Sequence, residues 1–94
     1  MPPSIITAAR LTTDGSKIEV TGPNLAPSDG GDVTVAVNGQ AARVISTCNA
    51  SVRGSGCRAD RIVAEAPAGI EGRIEVRVKN GSRAEVVWQS GRVG

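Results

Sequence analysis

Ninety-four residues carrying a formal charge of +2, from 11 basic and 9 acidic side chains, make one small domain. The balance is too mild for a nucleic-acid surface, which needs clustered cations as well as an excess of them. Hydrophobic residues are 39% of the chain, yet it holds a single Trp and neither Phe nor Tyr, so the core falls to Val, Ile, Leu and Ala and only Trp88 can offer a ring to a sugar or a base.

In chain order, Met1-Pro2-Pro3 leads into a first strand expected over Ser4–Ala9, without the basic start and apolar segment of a signal peptide. Asp14-Gly15 gives a tight reversal into a second strand, with Ile18 and Val20 on one face and Lys17, Glu19 and Thr21 on the other. Pro23, Pro27 and Gly30-Gly31 then break the chain into an irregular loop. There Asp29 and Asp32 offer carboxylates to a weakly held calcium ion, the alternative being an ordinary acidic turn; no metal site is expected. Val33, Val35 and Val37 alternate with Thr34 and Ala36 in a third strand, and Asn38-Gly39 suits a type I′ turn into a fourth, Ala41–Thr47.

Cys48 and Cys57 follow. Two cysteines in a small β domain read as a disulfide that staples the intervening loop, worth about 2.7 kcal/mol by loop-closure entropy. Such a bridge places the chain in an oxidising setting; two free thiols in a reducing cell are the alternative. Arg53, Arg58 and Arg61 cluster around this loop, either as a solvated rim or as an anion or contact site. A fifth strand, Asp60–Ala66, is ended by Pro67 in Ala66-Pro67-Ala68-Gly69. Ile74, Val76 and Val78 alternate with Glu75, Arg77 and Lys79 in the sixth, and Asn80-Gly81 gives a second type I′ signal before a seventh, Arg83–Gln89. Trp88 shares a face with Ala84 and Val86, where it caps the core or stands as an exposed contact aromatic. Asn49-Ala50-Ser51 and Asn80-Gly81-Ser82 fit the glycosylation sequon. Seven short strands at this spacing predict an all-β, immunoglobulin-like sandwich. No run nears the roughly 18 apolar residues of a membrane-spanning helix, so membrane insertion is not expected.

The stretch Ile18-Glu19-Val20-Thr21-Gly22-Pro23-Asn24-Leu25 resembles the TIG/IPT family, in which a strand ends in Thr-Gly before Asn and a large apolar residue. Val33–Val44, with its Asn-Gly turn, Ile62–Gly69, with its Pro-x-Gly turn, and Gly72–Asn80 continue the likeness over most of the chain. Leu25 stands where the family usually has Phe, and the Cys48–Cys57 insert is longer than usual. The resemblance implies an E-set-type sandwich that spaces, dimerises or adheres.

With no His, the commonest general base and zinc ligand is missing, two cysteines cannot complete a zinc site, and no Gly-rich phosphate loop joins a strand to a helix. The expectation is a non-enzymatic module without cofactor, at an extracellular, cell or virion surface. Its partners would be other protein subunits, neighbouring domains or capsid and tail proteins. A carbohydrate-binding accessory domain, resting on Trp88, and the dimerisation domain of a regulator are the rival readings. A leaderless chain of this size suits a particle decoration protein, and a fragment suits a repeat of a larger surface protein.

Overall fold

Alternation of β-branched and polar side chains builds eight strands in the computed structural model, which describes residues 4–27, 32–70, 73–81 and 84–89. They are β1 (Ala8–Leu11), β2 (Lys17–Gly22), β3 (Val33–Val37), β4 (Gln40–Ala42), β5 (Val44–Cys48), β6 (Asp60–Glu65), β7 (Glu75–Asn80) and β8 (Val86–Gln89). The described residues form no helix. Two antiparallel four-stranded sheets result, in the orders β1-β2-β6-β5 and β4-β3-β7-β8.

Ile18, Val20, Ile62 and Ala64 of the first sheet face Val35, Val37, Val76 and Val78 of the second in one core, which Leu25 enters from the β2–β3 loop. Full burial of each such Val, Leu or Ile contributes about 1.5–3 kcal/mol, so these side chains supply the main cohesion between the sheets.

Eight strands stand where seven were expected, because the expected fourth strand divides. Ala42 closes β4 in the second sheet and Val44 opens β5 in the first, so the chain changes sheets at Arg43. That crossing is pinned twice: the Glu65 N–H donates to the Arg43 carbonyl at 2.8 Å, and the Arg43 guanidinium meets the Glu65 carboxylate at 3.3 Å. Ile45 is the extra residue of a bulge between the pairs Val44–Ala64 and Ser46–Val63. A bulge on an edge strand disturbs the flat ladder that another chain would need to pair with.

The first strand also differs from expectation. Ser4–Thr7 runs beside β2 by single bonds, from the Ile5 N–H to the Pro23 carbonyl at 3.1 Å and from Thr7 N–H to the Thr21 carbonyl at 2.8 Å, and the regular ladder begins at Ala8. Gly22 permits this close approach: a Cβ there, at φ +157°, would fall 1.9 Å from the Ile5 carbonyl oxygen.

Asn38 and Gly39 both have positive φ, 52° and 81°, as a type I′ turn requires. The Asn38 carboxamide oxygen accepts the Glu75 N–H at 2.7 Å, tying the turn to β7. Asn80 instead stays in β7 opposite Val33, and only Gly81 turns to positive φ, so the second expected type I′ pair does not form. Asp14 holds the β1–β2 turn: its Oδ1 accepts Ser16 N–H at 3.0 Å and the hydroxyls of Ser16 and Thr12, each at 2.8 Å. The Ser16 N–H and hydroxyl, then the Thr12 hydroxyl, hold the Asp14 carboxyl down to about 2.

Candidate functional site

One end of the sandwich gathers the segment at Ser4, the end of β2, the start of β3, the β5–β6 loop and the end of β7. Asn24 organises it with a left-handed backbone, φ 60°. Its carbonyl accepts the Ser4 hydroxyl at 2.6 Å and the Asn80 amide at 3.2 Å, so three separate segments meet at one oxygen.

The β5–β6 loop is closed by the Cys48–Cys57 disulfide, with Cα atoms 6.5 Å apart. Inside the ring, Val52 N–H donates to the Asn49 carbonyl and Ser55 N–H to the Val52 carbonyl, both at 3.1 Å. The Asn49 carboxamide oxygen takes the Ser51 N–H at 2.8 Å and also its hydroxyl, while the Asn49 amide donates to the Ala26 carbonyl at 2.6 Å. This is the Asx-turn use of an Asn-x-Ser triplet.

Asp60 is the second anchor. It opens β6 with 5% of its surface exposed, and its two carboxylate oxygens accept separate backbone donors, Ala26 N–H and Ala50 N–H, each at 2.9 Å. A buried carboxylate is costly unless its oxygens are hydrogen-bonded, and here the bonds join the β2–β3 loop to the disulfide loop. The loop is thereby closed by one covalent bond and held to its surroundings by two hydrogen bonds, from the Asn49 amide and the Ala50 N–H.

Between these loops lies a cleft of about 280 Å³, with Pro23, Ala50 and Ala59 as apolar walls, Asp60 at its floor, and Ser51 and Arg58 at the lining. The three arginines expected on one loop are distributed around this end. Arg53 lies within the disulfide ring, Arg58 lines the cleft, and Arg61 is on β6, on the outer face opposite Cys48. All three are exposed, and none forms an ion pair among the described residues. Arg10, Arg43 and Arg77, by contrast, are each paired with glutamate at 3.0–3.6 Å. A second hollow, about 360 Å³ and lined by Arg10, Thr12 and Glu19, holds opposite charges that face each other.

Trp88 sits opposite Val76 on the inner face of β8, partly exposed and packed against the core. Asn49 and Asn80, the two sequon asparagines, each commit the side-chain nitrogen to a backbone carbonyl. Asp29 lies outside the described residues, and among the described residues no group of three or more His, Cys, Asp or Glu side chains is placed to hold a metal ion. Among the same residues no helix is long and apolar enough to cross a membrane.

The sequence did not mark Asp60 or Asn49 as anchors. Asp60 reads as the polar first residue of the fifth strand, and its donors lie 34 and 10 residues away. Asn49 carried a signal, since the same Asn-x-Ser triplet that reads as a sequon also reads as an Asx turn. Comparison with protein families, curated proteins and solved structures finds no match to this chain, so the site stands on its own geometry.

Proposed function

We propose that this chain is a non-catalytic, immunoglobulin-like module of the TIG/IPT kind, displayed at an extracellular, cell or virion surface, where it decorates, spaces or adheres. The observation that carries this reading is the disulfide loop itself. A surface loop that served only as a connection would not need a covalent staple, a buried carboxylate and a half-buried asparagine to fix it. Contact loops gain from such fixation, because a preorganised loop loses less conformational entropy on binding.

Three further points support the reading. The strand orders β1-β2-β6-β5 and β4-β3-β7-β8 correspond to the A-B-E-D and C-F-G sheets of immunoglobulin domains, with β4 as an added strand beside the third. A disulfide favours an oxidising compartment. Ser4 meets Asn24 at the Asn80 end of β7, while Gln89 pairs with Glu75 at the other end of that strand, an arrangement that suits an in-line spacer.

Native mass spectrometry of material isolated from its source tests the proposal. The expected result is this domain, oxidised, in fixed ratio within a larger particle or as part of a longer surface chain. A free monomer with reduced cysteines inside the cell would contradict it.

A further inference from the structure

The geometry points to the cleft between the β2–β3 loop and the disulfide loop as a docking site for an acidic protein segment, one of whose carboxylates is received by Arg58. The inference rests on the display reading above and adds the chemistry of the partner.

Charge complementarity is the first argument. Elsewhere on the described surface most arginines are neutralised within the chain: Arg10 by Glu19, Arg43 by Glu65, Arg77 by Glu75 and Glu85. Arg73 forms no ion pair among the described residues but stands singly, near the Asn38 turn, to which its carbonyl is bonded. At the end that holds the cleft, Arg58 in its lining, Arg53 in the disulfide ring and Arg61 on β6 form no ion pair among the described residues. Among the described residues, the acidic groups at this end are two against these three guanidiniums. Asp60 is buried and takes two backbone donors, which leaves Asp32 as the exposed carboxylate at this end among the described residues.

The apolar surface beside the cleft is the second argument. Ile5, 47% exposed, is bonded to Pro23 of the cleft wall, and Val52, 40% exposed, follows Ser51 of the lining. Apolar side chains flanked by arginine are the composition of protein-binding patches, in which Arg is enriched and Lys depleted. Volume is the third. A cleft of about 280 Å³ falls just below the span of drug-sized sites, roughly 300–1,000 Å³, and fits one side chain of a larger partner better than a whole small ligand. A sulfated polysaccharide would also seek arginines, yet it has no use for Ile5 and Val52. These favour a peptide that alternates acidic and aliphatic residues.

Titration of the isotopically labelled full chain by nuclear magnetic resonance tests the site. The probes are a capped pentapeptide alternating leucine and glutamate, its glutamine analogue, and low-molecular-weight heparin. The expected result is that the glutamate peptide shifts the signals of Ser51, Arg58 and Ala59, while the glutamine analogue does not. Arg58→Gln should weaken that binding about tenfold, the scale of one charge-assisted hydrogen bond at a half-open site, and Arg10→Gln should leave it unchanged. Because Arg58 is exposed and unpaired, the variant keeps its thermal unfolding midpoint, so loss of binding is not loss of fold. No shift at millimolar peptide, equal binding of the glutamine analogue, or a response to heparin alone would overturn the inference. Each of these leaves the display reading standing on its mass-spectrometric test, so the two failures are distinct.

Discussion

Asp60 receives the Ala50 N–H at 2.9 Å on one carboxylate oxygen while its other oxygen holds Ala26 N–H at the same distance. A single buried side chain thus fixes the disulfide loop against the body of the sandwich. Asp60→Ala leaves both N–H groups without an acceptor and should destabilise the domain by about 3 kcal/mol. Chemical denaturation measures the loss, and amide exchange should rise first at Ala26 and Ala50. Equal exchange at both sites in the variant would mean that other acceptors replace the carboxylate.

Gly22 admits the Ser4–Thr7 segment because it has no side chain. Gly22→Ala puts a methyl 1.9 Å from the Ile5 carbonyl oxygen, a backbone atom that no side-chain rotation can clear. The expected cost is about 2–3 kcal/mol, with displacement of the segment and faster exchange at the Ile5 and Thr7 amides. At Gly39, φ +81°, a Cβ meets nothing within 4 Å, so Gly39→Ala should cost only the conformational strain, about 1 kcal/mol. Thermal unfolding of the two variants side by side separates close approach from backbone strain.

Opening the Cys48–Cys57 ring by the double Cys→Ser substitution should lower stability by about 2.7 kcal/mol on the chain-entropy account. The core should remain intact, because Ile18, Val20, Ile62 and Val76 lie in the body of the sheets. The Asp60 and Asn49 bonds should keep part of the loop ordered. Retained strand signals in the far-ultraviolet spectrum, together with a lowered midpoint, are the expected outcome.

The Asp14 carboxyl, held at about 2 against an ordinary 3.8, ties the β1–β2 turn to pH. A carboxyl whose folded value is depressed contributes stability above its unfolded value and loses it as pH falls toward the folded one. The contribution is therefore complete above about pH 4 and fades toward pH 2. Asp14→Ala should be less stable than the parent near neutrality, and the gap should close across that window. A gap that stays constant with pH would show that the Ser16 and Thr12 bonds do not favour the charged form.

Much of this fold was legible. The Ile18–Val20, Val33–Val37 and Val76–Val78 rhythms map onto β2, β3 and β7, and Asn38-Gly39 makes its turn. The break at Arg43 was not, because Ala41-Ala42-Arg43-Val44-Ile45 contains no Gly or Pro. The crossing is held by Glu65 on β6, the neighbour that β5 joins in the first sheet. The displaced start of β1 has a similar cause, since it depends on contact between Ile5 and Gly22, far apart in sequence. At the candidate site, the cysteine pair could be read from composition and spacing. The anchoring role of Asp60 could not, because its partners come from two loops that meet only in the folded chain.

On the proposed function, the disulfide loop and the cleft beside it form the contact surface of a displayed module. Hydrogen–deuterium exchange on the chain alone and in its native assembly tests this most directly. Slower exchange on assembly, concentrated over residues 49–61 and the neighbouring Pro23–Ala26 segment, is the predicted result. Unchanged exchange there, with protection confined to other surfaces, would contradict it.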